Sequence, residues 1–217
     1  MNKYKICIGT IIFILIMVTL NKKEKFYENI KTIENTNDLD ILVNKNNKLP
    51  ESYVPNDLEL IDVKYSYENK YLKKEAKEMF EKLSNDASIL GYRIVATSAY
   101  RSYEYQEELY NYYIEEKGFE YADLCSARPG HSEHQTGLAV DVEGSNNSYD
   151  DFEDSIEFGW MKENAHKYGF ILRYPKDKTH ITGFKYEPWH YRYVGTEIAT
   201  YIYNKNITFE EYIKEKR

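Results

Sequence analysis

Gly130-His131-Ser132-Glu133-His134-Gln135-Thr136-Gly137-Leu138-Ala139-Val140-Asp141-Val142 is the stretch around which the chain is organised. From Gly137 to Val142 apolar residues alternate with small or charged ones, the pattern of a strand with one buried face. Leu138, Val140 and Val142 point one way; Gly137, Ala139 and Asp141 point the other. The Asp141 carboxylate therefore shares its face with two residues that have almost no side chain, which leaves room for a metal and its substrate. His134 precedes the strand, in a loop that can bring it towards Asp141. A second stretch, Tyr186-Glu187-Pro188-Trp189-His190-Tyr191-Arg192-Tyr193-Val194-Gly195, adds Glu187 and His190. Three apart, they would face opposite ways in a regular strand. Pro188 cannot donate to a strand ladder, so a bend or bulge is expected there, bringing both to one site. His134, Asp141 and His190 make two imidazoles and a carboxylate, a usual count for a catalytic zinc with an open fourth position. Glu187 is left over as a base. Singly, each of these residues is more often a surface, capping or core group; the joint pattern is what points to a site.

That pattern, Ser132-x-His134-x-x-Gly137-x-Ala139-x-Asp141 followed by Glu187-x-Trp189-His190, resembles the signature of zinc D-alanyl-D-alanine carboxypeptidases of the vancomycin-resistance type. These group with lysostaphin-type peptidases and the hedgehog amino-terminal domain. The likeness extends to Ser98-Ala99-Tyr100-Arg101-Ser102, to Gln106, to the run 164–175 and through Gly195, and it spans roughly residues 40 to 205. It implies an α+β fold, a small antiparallel β-sheet packed against helices. It implies zinc on His134, Asp141 and His190, with Glu187 as the proton shuttle. By the same likeness Arg101 holds the carbonyl or carboxylate oxygens of the substrate, a task suited to a guanidinium fork. Ser132 and Gln106 join it as ligands of the peptide's C-terminal carboxylate. His131 is not required by the family pattern and stays outside the metal shell.

The substrate so implied is a peptidoglycan stem peptide, from which the terminal D-alanine is removed. The same signature serves L,D-carboxypeptidases that trim tetrapeptides, D,D-dipeptidases and stem-cutting endopeptidases. A zinc-bound interaction module is the alternative outside enzymes, and Glu187 argues against it, because a binding module needs no base. The chain has no G-x-S-x-G and no S-x-x-K, so nothing supports a serine peptidase.

The remainder of the 217 residues fits one catalytic domain with an attachment segment. Net charge is -7 and no basic stripe is present, which excludes nucleic acid as a partner. A monomer is expected. Lys3 and Lys5 precede an apolar run over residues 6–20, interrupted by Gly9, Thr10 and Thr19. As a helix this run would reach about 22 Å, short of the ~30 Å hydrocarbon core. No small-x-small cleavage site follows. The expectation is a signal-anchor over residues 1–20, single-pass, holding the catalytic domain on the cell-wall side; a cleaved signal peptide is the second choice. Residues 21–40, rich in Lys, Glu and Asn, read as a stalk, and 41–217 as the zinc carboxypeptidase domain. The two cysteines, Cys7 and Cys125, are not expected to pair.

Within the domain, Leu72, Ala76, Met79, Phe80, Leu83, Ala87 and Leu90 recur at helical spacing, predicting a helix over 70–90 that Gly91 ends. A strand is expected over 93–99. Ser102 reads as the N-cap of a helix that turns Tyr105, Leu109 and Tyr112 or Tyr113 inward. Residues 121–130 read as a loop at the substrate rim. A helix capped by Asp154 or Ser155 ends at Gly169, a strand covers 170–173, and short helices close the chain. His166 and His180 read as structural or exposed.

Overall fold

The computed structural model describes residues 26–145, 148 and 151–216. The expected anchor lies outside these residues. Among the described residues, no helix is long and apolar enough to cross a membrane. The elements follow in chain order: β1 (Lys31–Thr32), β2 (Asn47–Lys48), β3 (Leu58–Leu60), β4 (Tyr71–Lys73), α1 (Lys74–Ile89), β5 (Val95–Ser98), α2 (Tyr103–Lys117), α3 (Phe119–Cys125), β6 (Ala139–Glu143), α4 (Ile156–Asn164), β7 (Phe170–Leu172), α5 (Thr179–Thr182), β8 (His190–Tyr193), α6 (Thr196–Lys205) and α7 (Phe209–Lys216).

The central sheet has four strands in the order β5-β6-β8-β7, and every pairing in it is antiparallel. The mixed, helix-packed architecture is the one the sequence led to expect. Its two faces are chemically distinct because side chains alternate along each strand. Leu138, Val140 and Val142, with Tyr191 and Tyr193, enter one core with Leu72, Phe80 and Leu83 from the α1 side and Phe158 and Met161 from α4. Full burial of each such side chain contributes about 1.5–3 kcal/mol. The opposite face carries Asp141 from β6 and His190 and Arg192 from β8. Register decides their meeting: Asp141 stands opposite His190, and Ala139 opposite Arg192. Ser98 also pairs with Asp141, after an irregularity between Ala96 and Ser98. A one-residue slip would send all of these groups to the wrong face.

Several expectations change. α1 starts at Lys74 rather than near Lys70, because Tyr71 to Lys73 pair with Leu58 to Leu60 as β4. The Lys73 amide then donates to the Gly137 carbonyl. That contact also reassigns Gly137. Its φ is +71°, and a Cβ there would lie 2.9 Å from Leu58 Cδ2. Its smallness admits the β3–β4 hairpin and does not make room beside Asp141. Ser102 caps α2 as expected, accepting from the Tyr105 amide. Gln106 and Tyr110 are the buried residues of α2, while Tyr105 and Tyr112 are exposed. Leu109 and Tyr113 line the cleft beside Gln106 as expected, so the hydrophobic pattern marks the inner face only in part. The stretch expected as a rim loop begins as α3: Gly118, at φ +84°, ends α2 and the chain turns directly into a second helix that buries Ala122.

The segment read as a stalk also departs from expectation from residue 26 onward. β1 pairs in parallel with β2, and Thr36 accepts from the Tyr53 hydroxyl. Leu39 packs against the main core. The carbonyls of Leu39 and Ile41 both accept from Arg192 Nη2, at 2.9 and 3.1 Å. Composition hides this docking because much of it is made by backbone groups. Cys125 carries a free thiol.

Candidate metal and catalytic site

His134 sits in a single 3₁₀ turn, Glu133–Thr136, not in an open loop. Ser132 Oγ caps the turn by accepting from the His134 amide, and Gly137 closes it in the left-handed conformation. The turn leads straight into β6 and Asp141. His190 opens β8 immediately after a tight turn at Pro188-Trp189, where its amide donates to the Glu187 carbonyl at 3.2 Å. This turn does the job expected of a bulge: it returns Glu187 and His190 to one cleft. His134, Asp141 and His190 each offer a ligand atom, and these atoms lie within 4.8 Å of one another.

The donor set fits a cation. His134 Nδ1 lies 2.6 Å from the Ala99 carbonyl, so this nitrogen carries the proton and Nε2 presents a lone pair. Burial, reinforced by the Arg101 charge, pushes the imidazole down to about 4, which keeps it neutral. That lone pair faces Asp141 Oδ2 at 3.3 Å, and Nε2 is buried without a hydrogen-bond partner. Two acceptors aimed at each other inside a protein are unfavourable unless a positive charge lies between them. His190 presents Nδ1 to Asp141 Oδ1 at 2.8 Å and Nε2 to Glu133 Oε2 at 3.5 Å. Against burial, those two carboxylates raise it to about 9. Burial alone would push Asp141 up, but the two imidazoles hold it well below the usual carboxylate range. A metal on this set would take the Nδ1 side of His190 and leave Glu133 to accept from Nε2–H, the outer support such ligands normally have.

Around this set is a cleft of about 450 Å³. Arg101, Gln106, Ser132 and Glu187 all line it. Glu187 is buried, and desolvation lifts its carboxyl to about 7; His190 opposes the rise and Asp141 adds to it. Arg101 Nε is buried without a partner. Ser132 keeps its hydroxyl proton available while its oxygen caps the His134 turn. Gln106 is differently placed. Its amide nitrogen donates to Ser126 Oγ at 3.1 Å and to the Ala127 carbonyl at 2.7 Å, which occupies both hydrogens. Its Oε1 is left buried and unpartnered. His131 stays apart from the metal group, with Nδ1 2.8 Å from the Asn44 carbonyl. His180 is exposed, and His166 stacks on Tyr203 at 3.8 Å.

Sequence reasoning missed the layer beneath the ligands. Glu133 is fully buried and accepts from Arg173 Nε at 2.8 Å and Arg192 Nη1 at 3.0 Å. Desolvation would raise its carboxyl, but the two guanidiniums hold it far below its ordinary value. Arg173 also forks onto Glu210 of α7, at 2.6 and 2.9 Å. Tyr174 stacks on the His190 ring at 4.9 Å. One signal for this layer was present: Arg192 lies two residues beyond His190, so strand parity places it on the same face.

Residues 69–196 match the model of the VanY family, D-alanyl-D-alanine carboxypeptidase. YodJ of Bacillus subtilis (strain 168) is 40% identical over 198 residues, 88% of this chain and 72% of that protein. A D-alanyl-D-alanine carboxypeptidase of Enterococcus faecium is 44% identical over 146 residues, 67% of this chain and 45% of that protein. Among solved structures, the LdcB LD-carboxypeptidase superposes with a TM-score of 0.81 at 40% identity, covering 89% of this chain and 94% of that one. VanYB in complex with D-alanine-D-alanine gives 0.72 at 36% identity, over 82% and 99%. A VanY variant from a VanB-type resistance cassette in complex with Zn(II) gives 0.69 at 36%, over 81% and 98%.

The buried layer generates a prediction. Glu133→Gln leaves two guanidiniums without their shared carboxylate, and breaking a buried ion pair in this way costs about 3–5 kcal/mol. Urea unfolding should show that loss. Zinc affinity should fall roughly 10- to 100-fold as His190 loses its outer acceptor. Wild-type zinc affinity in this variant would show that the cluster does not hold the site.

Proposed function

The chain belongs to the VanY family of D-alanyl-D-alanine carboxypeptidases, and on that premise we propose that it is a zinc-dependent carboxypeptidase releasing the terminal D-alanine from peptidoglycan stem peptides. The observation that carries this reading is the convergence of His134, Asp141 and His190 in one cleft with a buried, separately tuned Glu187. Zinc, when bound, supplies the Lewis acidity that brings the pKa of water down towards 7. The chain's own groups do the rest. Glu187, poised near neutrality, takes a proton from the attacking water and delivers it to the leaving amine. Arg101 offers its guanidinium to the substrate's carbonyl or carboxylate oxygens, where charge develops. The Ser132 hydroxyl donates to the terminal carboxylate. Gln106 lies at the same end of the cleft. Its amide hydrogens are committed to Ser126 and Ala127, so its contribution is to fix that wall.

Two substitutions separate these roles. His190→Ala should lose zinc and activity together. Glu187→Gln should keep the fold and the metal and lose about 100- to 10,000-fold in turnover, the usual worth of a general base. Metal analysis beside the kinetics reads both. Loss of zinc from Glu187→Gln would make that residue a ligand and end its role as the base.

A second reading has its own support. The LdcB LD-carboxypeptidase superposes more closely than the VanYB structure does. A pocket that accepts a D-alanine methyl discriminates weakly by size, since one methylene is worth about 1–3 kcal/mol. Selectivity between pentapeptide and tetrapeptide must then come from shape around the residue before the scissile bond. The expected result is faster release of D-alanine from a pentapeptide ending in D-Ala-D-Ala, followed by mass spectrometry of muropeptides. Faster loss from the tetrapeptide would place the enzyme in the L,D branch, and release of intact D-Ala-D-Ala would make it a dipeptidase.

The proposed placement is on the cell-wall side of a membrane, tethered through residues 6–20; the apolar run behind Lys3 and Lys5 supports it. A monomer is proposed; His134, Asp141, His190 and Glu187 meet in one cleft within a single chain, which supports it. External protease on intact, wall-stripped cells should digest the domain. Protection would move it inside, to a precursor-trimming role.

A further inference from the structure

The first described residues form a strap against one end of the cleft. Phe26 and Tyr27 flank Lys45, whose Nζ lies 5.5 and 5.3 Å from their ring centres and 4.5 Å from that of Phe184. Lys45 is itself buried and donates to the Asp123 carbonyl. Tyr27 also carries the Arg128 guanidinium, 3.8 Å from the ring centre. The Arg128 amide donates to the Tyr27 hydroxyl at 3.3 Å, and the His131 ring meets Tyr27 edge-on at 5.1 Å. Tyr27 holds a φ of +58°, a region that bulky residues avoid, so these contacts are what keep it there. Gly183 contributes by its missing side chain: a Cβ would come within 3.0 Å of the Phe26 ring. The β1–β2 pairing fixes the far end of the strap.

The strap bears on the segment that builds one wall of the cleft. Ser126, Ala127 and Ser132 line that wall, and Arg128 and His131 lie between them in the chain. Ser126 and Ala127 hold Gln106 in its orientation. Arg128 is clamped to Asp123 at 3.0 and 2.8 Å, and Asp123 also accepts from Tyr110 of α2 at 2.6 Å. One aromatic ring therefore grips two points on the segment that carries Ser132 and orients Gln106.

We propose that Tyr27 is a positioning residue for substrate binding: the strap of residues 26–33 holds segment 126–132 so that Ser132 and the Gln106 wall meet the peptide's terminal carboxylate. The proposal rests on the carboxypeptidase reading and adds to it a part of the chain that is not among the residues lining the cleft. Tyr27→Ala in the full chain removes a partly buried cation–ring contact, and KM should rise roughly three- to thirtyfold with kcat and zinc content retained. Tyr27→Phe keeps the ring over Arg128 and should restore KM to near the wild-type value; Tyr27→Leu keeps bulk without the ring and should not. Amide hydrogen exchange within 126–132 should quicken in the Ala and Leu variants while the α1 core stays protected. The proposal is overturned by an unchanged KM in both variants, by unchanged exchange in 126–132, or by loss of kcat and zinc that Tyr27→Phe does not rescue. Failure of the functional reading looks different: the wild-type enzyme would release no D-alanine from any muropeptide. The exchange data would then decide the strap alone.

Discussion

The Glu133 carboxylate, closed between Arg173 and Arg192, is the contact on which the remaining structure turns. It joins pieces that are far apart in the chain: the turn carrying His134, the end of β7, the strand carrying His190, and through Glu210 the last helix. Arg192 reaches further, to the Leu39 and Ile41 carbonyls at the start of the fold. Removing such charges from water is costly, several kcal/mol for each ion. The cluster offsets this only because its oxygens and nitrogens are matched by good geometry. Replacing it with hydrocarbon could leave the fold as stable, but it would leave the two histidines without a common frame. Its value lies in placement, since a metal site tolerates little error in the position of its ligands.

Above that layer, three carboxylates in close proximity have different tasks because their surroundings differ. Glu133 faces guanidiniums and stays ionised. Asp141 faces two imidazoles and stays ionised as well, which suits a metal ligand. Glu187 has no comparable partner, and desolvation lifts it towards neutrality. Separation of titration behaviour within one site is how acid–base roles are divided among like groups. The sheet supports the division mechanically. One face is a packed hydrocarbon core that fixes the register of β6 and β8, and that register delivers Asp141 to His190 on the other face.

The kinship with both LD- and D,D-carboxypeptidases is consistent with this layered design. Asp141, His190 and Arg192 stand on the sheet face, and His134 and Glu187 lie in the turns that lead into β6 and β8. The walls come from elsewhere: α2, α3, the segment leading to Ser132, and behind it the strap. Walls built from loops and short helices can vary in shape without disturbing the register beneath.

The candidate metal ligands His134, Asp141 and His190, and Glu187 beside them in the cleft, could be picked out in the sequence, because chemistry restricts which residue types can serve and the strand alternation around Asp141 shows its face. So could the main helices and the α+β character, which follow from local periodicity. The roles of Gly137, Gln106 and residues 26–40 could not. Gly137 is small for a hairpin that lies more than sixty residues earlier in the chain. Gln106 sits on a helix face that looks polar because it lines a cleft. The strap and the Glu133 cluster consist of contacts between distant segments, several made by backbone carbonyls that leave no mark on composition. Sequence by itself determined which groups could do the chemistry. Only the tertiary structure decided which of them meet, because strand register, buried charge pairing and the docking of one segment on another are set by packing across the whole chain.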